Sequence, residues 1–210
     1  MNSRFFFAGL ILVAALAGSV FLLKKFSPLG QVAFTSLESK AKGPAGARVE
    51  IVEYSDFQCP ACQKVQAVLA KILAQYPADV RLIYRHFPLP GHLWSSLAHQ
   101  AAECAHRAGK FWGYHDRLYA EQSKWSTPAN PAETFLQYAR DLGLDLDAFG
   151  TCLADETIRK IVQDEKLRGE GLKITATPTF FINGRRIVGP VDMEKTGEAA
   201  VRRALGLAEQ

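Results

Sequence analysis

No second Cys-x-x-Cys and no His-x-x-x-His pair accompanies Cys59-Pro60-Ala61-Cys62. A structural zinc site normally completes its coordination with such a partner, so a zinc reading of these two thiols lacks its other half. His99 and His106 stand seven positions apart among alanines and do not supply it. A large excess of one charge is missing as well. Without residues 1–25, which carry Arg4, Lys24 and Lys25 and no acid, 22 basic residues face 21 acidic ones. That balance argues against nucleic acid as a partner.

What is present begins with an uncharged run of 19 residues, 5–23, set between Arg4 and Lys24-Lys25. It is long enough to cross a bilayer core as a helix, so residues 1–25 belong to targeting and not to the fold. Two readings compete. An uncleaved anchor is favoured because the apolar run continues through Val20-Phe21-Leu22-Leu23, while Ala15-Leu16-Ala17 offers the small residues of a cleavable signal peptide. Cations on both flanks leave orientation undecided, yet either reading exports the rest of the chain to an extracytoplasmic setting. Residues 26–47, rich in Ser, Gly, Pro and Lys, read as a linker in which Val32-Ala33-Phe34 could form one edge strand. The folded domain is expected to begin near Arg48.

The segment Val49-Glu50-Ile51-Val52-Glu53-Tyr54 reads as a buried strand, and Val65, Val68, Leu69, Ile72 and Leu73 recur at helical spacing after it. Val80, Leu82 and Tyr84 alternate with Arg81, Ile83 and Arg85 in a second strand. From about His92 to Leu172 every periodic segment is helical, with Asn130-Pro131-Ala132-Glu133 as a capping box and Gly169 and Gly171 expected to end the last helix. Thr179-Phe180-Phe181-Ile182 and Arg185-Arg186-Ile187-Val188 flank Asn183-Gly184, a dipeptide suited to the positive φ angles of a tight hairpin. A terminal amphipathic helix is expected over 192–205, presenting Met193, Ala200, Val201 and Leu205.

The dithiol lies where the first strand passes into the first helix. Unpaired N–H groups and the helix dipole favour an anion there, which makes Cys59 the nucleophile, and the i, i+3 spacing places Cys62 within bonding reach as the resolving thiol. Pro60 suits a first turn, where its missing N–H costs nothing.

A β-α-β unit carrying Cys-x-x-Cys, then a β-β-α unit opened by an x-Pro step, resembles the thioredoxin fold, and the inserted helical block resembles the DsbA family. The likeness rests on Val52-Glu53-Tyr54-Ser55-Asp56-Phe57-Gln58-Cys59-Pro60-Ala61-Cys62, on Arg85-His86-Phe87-Pro88-Leu89, and on Thr177-Pro178-Thr179-Phe180-Phe181-Ile182-Asn183-Gly184. It is greatest for the anchored, single-domain thiol oxidoreductases of bacteria. It implies an α/β thioredoxin-like domain from residues 48–91 and 173–208 with a helical insertion at 92–172. It also implies a cis Pro178 facing the disulfide, a Thr177 backbone that pairs with substrate like an added strand, and Glu53 as a buried acid that serves in proton transfer. The alternative for Glu53 is a surface-facing strand residue. Pro60-Ala61 departs from the Pro-His of the strongly oxidising members, which removes one group that could stabilise the Cys59 thiolate.

The implied activity is an oxidase that introduces disulfides into unfolded or reduced exported proteins and is reoxidised by a membrane quinone-linked partner. The electrons reside on sulfur, so neither cofactor nor metal is expected. A reductase or isomerase using the same cysteines is the nearest alternative, although residues 24–47 show no dimerisation domain, and a membrane-tethered peptide-binding module without turnover is a third. Outside the cytosol, Cys104 and Cys152 on separate helices are expected to form a structural disulfide, two buried free thiols being the alternative. His86, His92 and His115 read as packed or capping side chains, and Trp94, Trp112 and Trp125 as core or groove residues.

Overall fold

The computed structural model describes residues 40–127 and 130–208. The apolar run at 5–23 and the patch at 32–34 lie outside them, and among the described residues no helix is long and apolar enough to cross a membrane.

A five-stranded sheet with order β1-β3-β2-β4-β5 forms the frame. The strands β2 (Val49–Ser55) and β3 (Val80–His86) run parallel, joined by helix α1 (Pro60–Gln75), while β4 (Thr179–Ile182) and β5 (Arg185–Val188) form an antiparallel hairpin on the other side of β2. Asn183 and Gly184 make the hairpin turn with φ of 44° and 87°, the paired positive angles that such a two-residue turn demands. Helices α2 (Ser95–Arg107), α3 (Phe111–Ala120), α4 (Gln122–Trp125), α5 (Ala132–Asp141), α6 (Leu146–Ala154) and α7 (Glu156–Gly171) intervene between β3 and β4, and α8 (Gly189–Ala204) follows β5. This is a thioredoxin-like α/β fold with a helical insertion.

Several boundaries differ from the sequence reading. The edge strand β1 is Ala41–Lys42, antiparallel to β3, so the folded unit takes in residues that composition assigned to the linker. Pro131 sits at the cap of α5 rather than in its first turn, and Asn130 Oδ1 accepts from Ala132 N at 3.0 Å. Helix α8 starts at Gly189, with Pro190 in its first turn, because proline's fixed φ is compatible with a helix start. Gly169 does not end α7. It lies inside the helix, where an added Cβ would come within 2.6 Å of the Phe87 ring and 3.0 Å of Tyr54. Alanine would gain up to about 1 kcal/mol in helix propensity, but overpacking two buried rings costs about 1–3 kcal/mol. Gly169→Ala is therefore expected to lower the urea midpoint rather than raise it.

Of the two largest apolar cores, only the second holds the dithiol. One, beneath the sheet, packs Val65, Leu69 and Ile72 of α1 against Ile51, Phe180 and Val201. The other joins Phe57, Cys59 and Cys62 to Tyr84, Tyr114 and Trp125 in the helical block. Cys104 on α2 and Cys152 on α6 are bonded to each other, 48 residues apart. By the loop-entropy estimate this link contributes at most about 4 kcal/mol, so the Cys104→Ala/Cys152→Ala double variant is expected to unfold at markedly lower urea.

Candidate active site

Extended backbone at Cys59, with φ of −79° and ψ of 120°, ends the strand-to-helix turn and makes this residue the N-cap of α1, with Pro60 in the first turn. Cys59 and Cys62 are free thiols, the first 7% exposed and the second fully buried. Their acidities diverge. A hydrogen bond from the Cys62 thiol brings Cys59 down to about 5, helped by Thr177 and by the backbone N–H groups of Cys62 and Ala61, against the opposing effect of burial. Burial raises Cys62 well above the usual thiol range, and the neighbouring Cys59 adds to the rise. The helix terminus thus contributes to the Cys59 anion, but the partner thiol contributes more.

Thr177-Pro178 is a cis peptide bond, and the Cys59 thiol lies 3.6 Å from the Thr177 carbonyl oxygen it donates to. The hairpin holds this loop, because Pro178 O accepts from Gly189 N at 2.8 Å.

Glu53 is fully buried, which excludes the surface-facing alternative. Its strand is the central one of the sheet, and its last three residues, Glu53 to Ser55, are all buried. The Oε1 atom accepts from the Ser55 hydroxyl at 2.7 Å and from Gln66 Nε2 at 3.2 Å, while Oε2 has no hydrogen-bond partner among the described residues. Burial pushes the carboxyl up to about 7 despite those two hydrogen bonds. Ser55 Oγ lies 2.9 Å from the Tyr119 hydroxyl, and the Ser55 side chain tempers the rise of the Cys62 thiol. Gln66 and Tyr119 line a cleft of about 420 Å³ between α1 and α3, which brings the surface close to this polar cluster. Trp112 lines the same cleft, whereas Trp125 is core and Trp94 donates its backbone N–H to Gln58 Oε1 at 2.8 Å.

Asp56 is a site residue that sequence reasoning missed. Its buried carboxylate collects Gln58 N at 2.8 Å, Ser95 Oγ at 2.5 Å, Leu89 N at 2.8 Å and His92 Nδ1 at 2.7 Å. Burial opposes ionisation, but His99, Ser95 and the Leu89 N–H bring Asp56 down to about 2. Its own N–H points to Cys62 Sγ at 3.5 Å. The inserted helices complete the support of this loop. Gln122 donates to the carbonyls of Phe57 and Cys59 at 2.7 and 3.0 Å, and Gln63 donates to Tyr119 O at 2.6 Å. A charged residue three positions before a cysteine was the available signal, but periodicity gives no reason to bury it.

The family model Thioredoxin_4, described as thioredoxin, matches residues 35–200. Among solved structures, alpha-DsbA1 of Wolbachia pipientis is 26% identical, with a TM-score of 0.68, covering 80% of this chain and 92% of that one. The chain belongs to the DsbA family of thiol:disulfide oxidoreductases. DsbA2 of Pseudomonas aeruginosa is 28% identical with a TM-score of 0.65, covering 79% of this chain and 93% of that one. BdbD of Bacillus subtilis, 22% identical with a TM-score of 0.71, covers 80% and 92% of the two chains and shares the fold. Curated sequence relatives of this DsbA-family chain are much longer proteins. Na(+)/H(+) antiporter NhaA 3 of Salinispora tropica is 38% identical over 161 residues, which make up 76% of this chain but 24% of the antiporter. The chain thus spans about a quarter of the length of the curated relatives it matches.

Proposed function

We propose that this DsbA-family chain is an extracytoplasmic oxidase that introduces disulfides into unfolded or reduced exported proteins through Cys59-Pro60-Ala61-Cys62, held at the membrane by residues 5–23. The observation that carries this reading is the divergence of the two thiols, one brought down to about 5 and the other pushed up by burial. A dithiol whose outer sulfur is comfortable as an anion is stabilised in its reduced form, and its disulfide therefore tends to be given away.

In the reaction a substrate thiolate attacks Cys59 Sγ and the Cys59–Cys62 bond breaks. Cys62 departs with the electron pair as a thiolate that its buried setting cannot hold, so it takes a proton. Glu53, near half-loaded at neutral pH, supplies that proton through the Ser55 hydroxyl: in the protonated acid the Ser55–Oε1 hydrogen bond reverses, so Oε1 gives its hydrogen to Ser55 Oγ and Ser55 passes its own to Cys62 Sγ. A second substrate thiolate then attacks the substrate sulfur of the mixed disulfide and expels Cys59 as a thiolate. Two electrons have moved from substrate to enzyme, and a membrane quinone-linked protein removes them again. The Thr177 backbone beside Cys59 pairs with the substrate as an added strand.

The test is the equilibrium of the Cys59/Cys62 pair against a glutathione buffer. A potential substantially more oxidising than that of a cytosolic thioredoxin, about −270 mV, supports the oxidase, and one at or below that value supports a reductase using the same thiols.

A further inference from the structure

Behind the active-site loop lies a chain of buried polar groups that the reaction above does not use. Lys40 Nζ pairs with Glu103 Oε2 at 2.9 Å, and the same oxygen lies 2.9 Å from His86 Nε2. His86 Nδ1 faces His99 Nδ1 at 2.6 Å, and His99 Nε2 faces Asp56 Oδ1 at 3.8 Å. Both imidazoles are fully buried. The chain starts at the edge of the folded unit and ends on the carboxylate that accepts from Gln58, the residue before Cys59.

Hydrogen counting constrains this arrangement. Glu103 is held ionised by Lys40, and Asp56 accepts from Gln58 N, Ser95 Oγ, Leu89 N and His92, so each end is an acceptor. The two contacts of hydrogen-bond length, His86 to Glu103 and ring to ring, take one N–H group each, and placing a donor in the 3.8 Å approach of His99 to Asp56 would take a third. Two neutral imidazoles carry only two. The shortfall falls at Asp56, where the contact is longest and where His99 Nε2 has no hydrogen-bond partner among the described residues. Charge counting agrees. The cations Lys40 and Arg85 pair with the carboxylates Glu103 and Glu165 and leave the Asp56 carboxylate to the histidines His92 and His99, one fixed positive charge short of balance. A third hydrogen on the ring pair supplies the missing charge and turns the His99–Asp56 contact into an ion pair.

We propose that His86 and His99 form a single proton-binding unit beneath the active-site loop, and that one proton shared by the two rings stabilises the Cys59 thiolate through Asp56 and Phe57. The coupling has a short physical path, because the Phe57 ring lies 4.8 Å from the His99 ring and 5.0 Å from Tyr84, while Asp56 holds the Gln58 N–H. The other groups facing the unit are the hydroxyl-bearing Tyr84, the ring of Phe111, Glu165, which accepts from His86 N, and His92, which reaches Asp56 from the rim. Burial draws both imidazoles below their ordinary value, His86 to about 4, so loading occurs on the acid side of neutrality. His86 and His99 are positioning residues in this scheme, since neither touches the reacting sulfurs.

Reciprocity supplies the test. If the proton favours the thiolate, the thiolate favours the proton by the same factor, so the unit must hold its proton more tightly in the reduced protein than in the oxidised one. The imidazole nitrogens are followed by NMR against pH in both redox forms, in protein carrying His92→Gln so that only the buried pair is read near Asp56. The expected result is one shared titration step for both rings, above the Cys59 value of about 5 so that the thiolate is present, with its midpoint about half a pH unit higher in the reduced form, an approximately threefold tighter hold. Cys59→Ser should abolish the difference, and His99→Gln should abolish the step while leaving the Cys59 absorbance titration measurable. Rings that titrate independently, rings that stay neutral down to acid unfolding, or a midpoint unaffected by redox state would each overturn the proposal. The proton-binding unit requires the Cys59 thiolate but no particular direction of electron flow. A glutathione equilibrium in the reductase range therefore leaves it standing, whereas loss of the thiolate absorbance removes its premise.

Discussion

Reduced protein is expected to resist urea better than oxidised protein, by a margin that widens as the pH rises. The cause is Cys59, whose folded-state value of about 5 lies below the ordinary thiol value of 9.0. Between those values the unfolded chain keeps a proton that the native thiolate has released, so stability of the reduced form increases with pH by about 1.4 kcal/mol per unit. As the pH falls through 5 that contribution disappears. Near pH 7 it amounts to about 3 kcal/mol, which for a two-electron couple corresponds to about 60 mV in the oxidising direction. The oxidised protein has no Cys59 thiol to ionise and lacks the term. Other titrating groups act on both redox forms, the His86/His99 unit differing between them by only about half a pH unit, so the difference between two urea melts, taken from pH 4 to pH 8, is dominated by the thiol. Parallel stability profiles for the two forms would remove the physical basis of the oxidase reading, and Cys59→Ser, which keeps the other titrating groups, should follow the pH dependence of the oxidised form.

The parts of this molecule that could be read from sequence are those specified by neighbours along the chain. Asn183-Gly184 announces its turn through backbone conformation alone, and the Cys59-to-Cys62 spacing needs only one helical turn to bring the sulfurs together. Glu53 was half legible. Its alternation with Val49 and Ile51 puts it on an inward face, but a carboxylate in that pattern gains a reason to be buried only from Ser55 and Gln66 in three dimensions. The polar chain behind the loop was illegible because its links span long separations. Lys40 meets Glu103 63 residues away, and His86 N meets Glu165 79 residues away. Lys40, Glu103 and Glu165 taken singly read as solvated, since a charge is buried only where partners from several elements converge, and His86 reads as a packed ring whose partners stay hidden. For the same reason the domain boundary near Arg48 fell too late, because composition around Lys40 resembles a linker and its burial depends on two helices of the insertion.

Glu53→Gln is expected to change stability and rate in opposite directions, which separates a proton donor from a structural carboxylate. Burial raises the Glu53 acid from 4.5 to about 7, so between those values the native protein holds a proton that the unfolded chain has lost. Stability falls as pH rises through that window, and the loss above it reaches about 3 kcal/mol. Glutamine keeps the hydrogen-bonding shape without the charge, so the variant should be more stable than the parent above pH 7 by up to that amount and equal to it below about pH 4. Rates should move the other way. Without an acid behind Ser55, the departing Cys62 thiolate must wait for a proton from solvent, and reduction of the enzyme disulfide by a model dithiol should slow by roughly 100-fold, with loss of the inflection near pH 7. Ser55→Ala should slow the same step while keeping the Glu53 titration, and Ser55→Thr, which retains the hydroxyl, should restore much of it. A Glu53→Gln enzyme that gains stability and keeps its rate would show that the carboxyl is a buried charge with no part in the proton path, and the route from Glu53 through Ser55 to Cys62 would have to be abandoned.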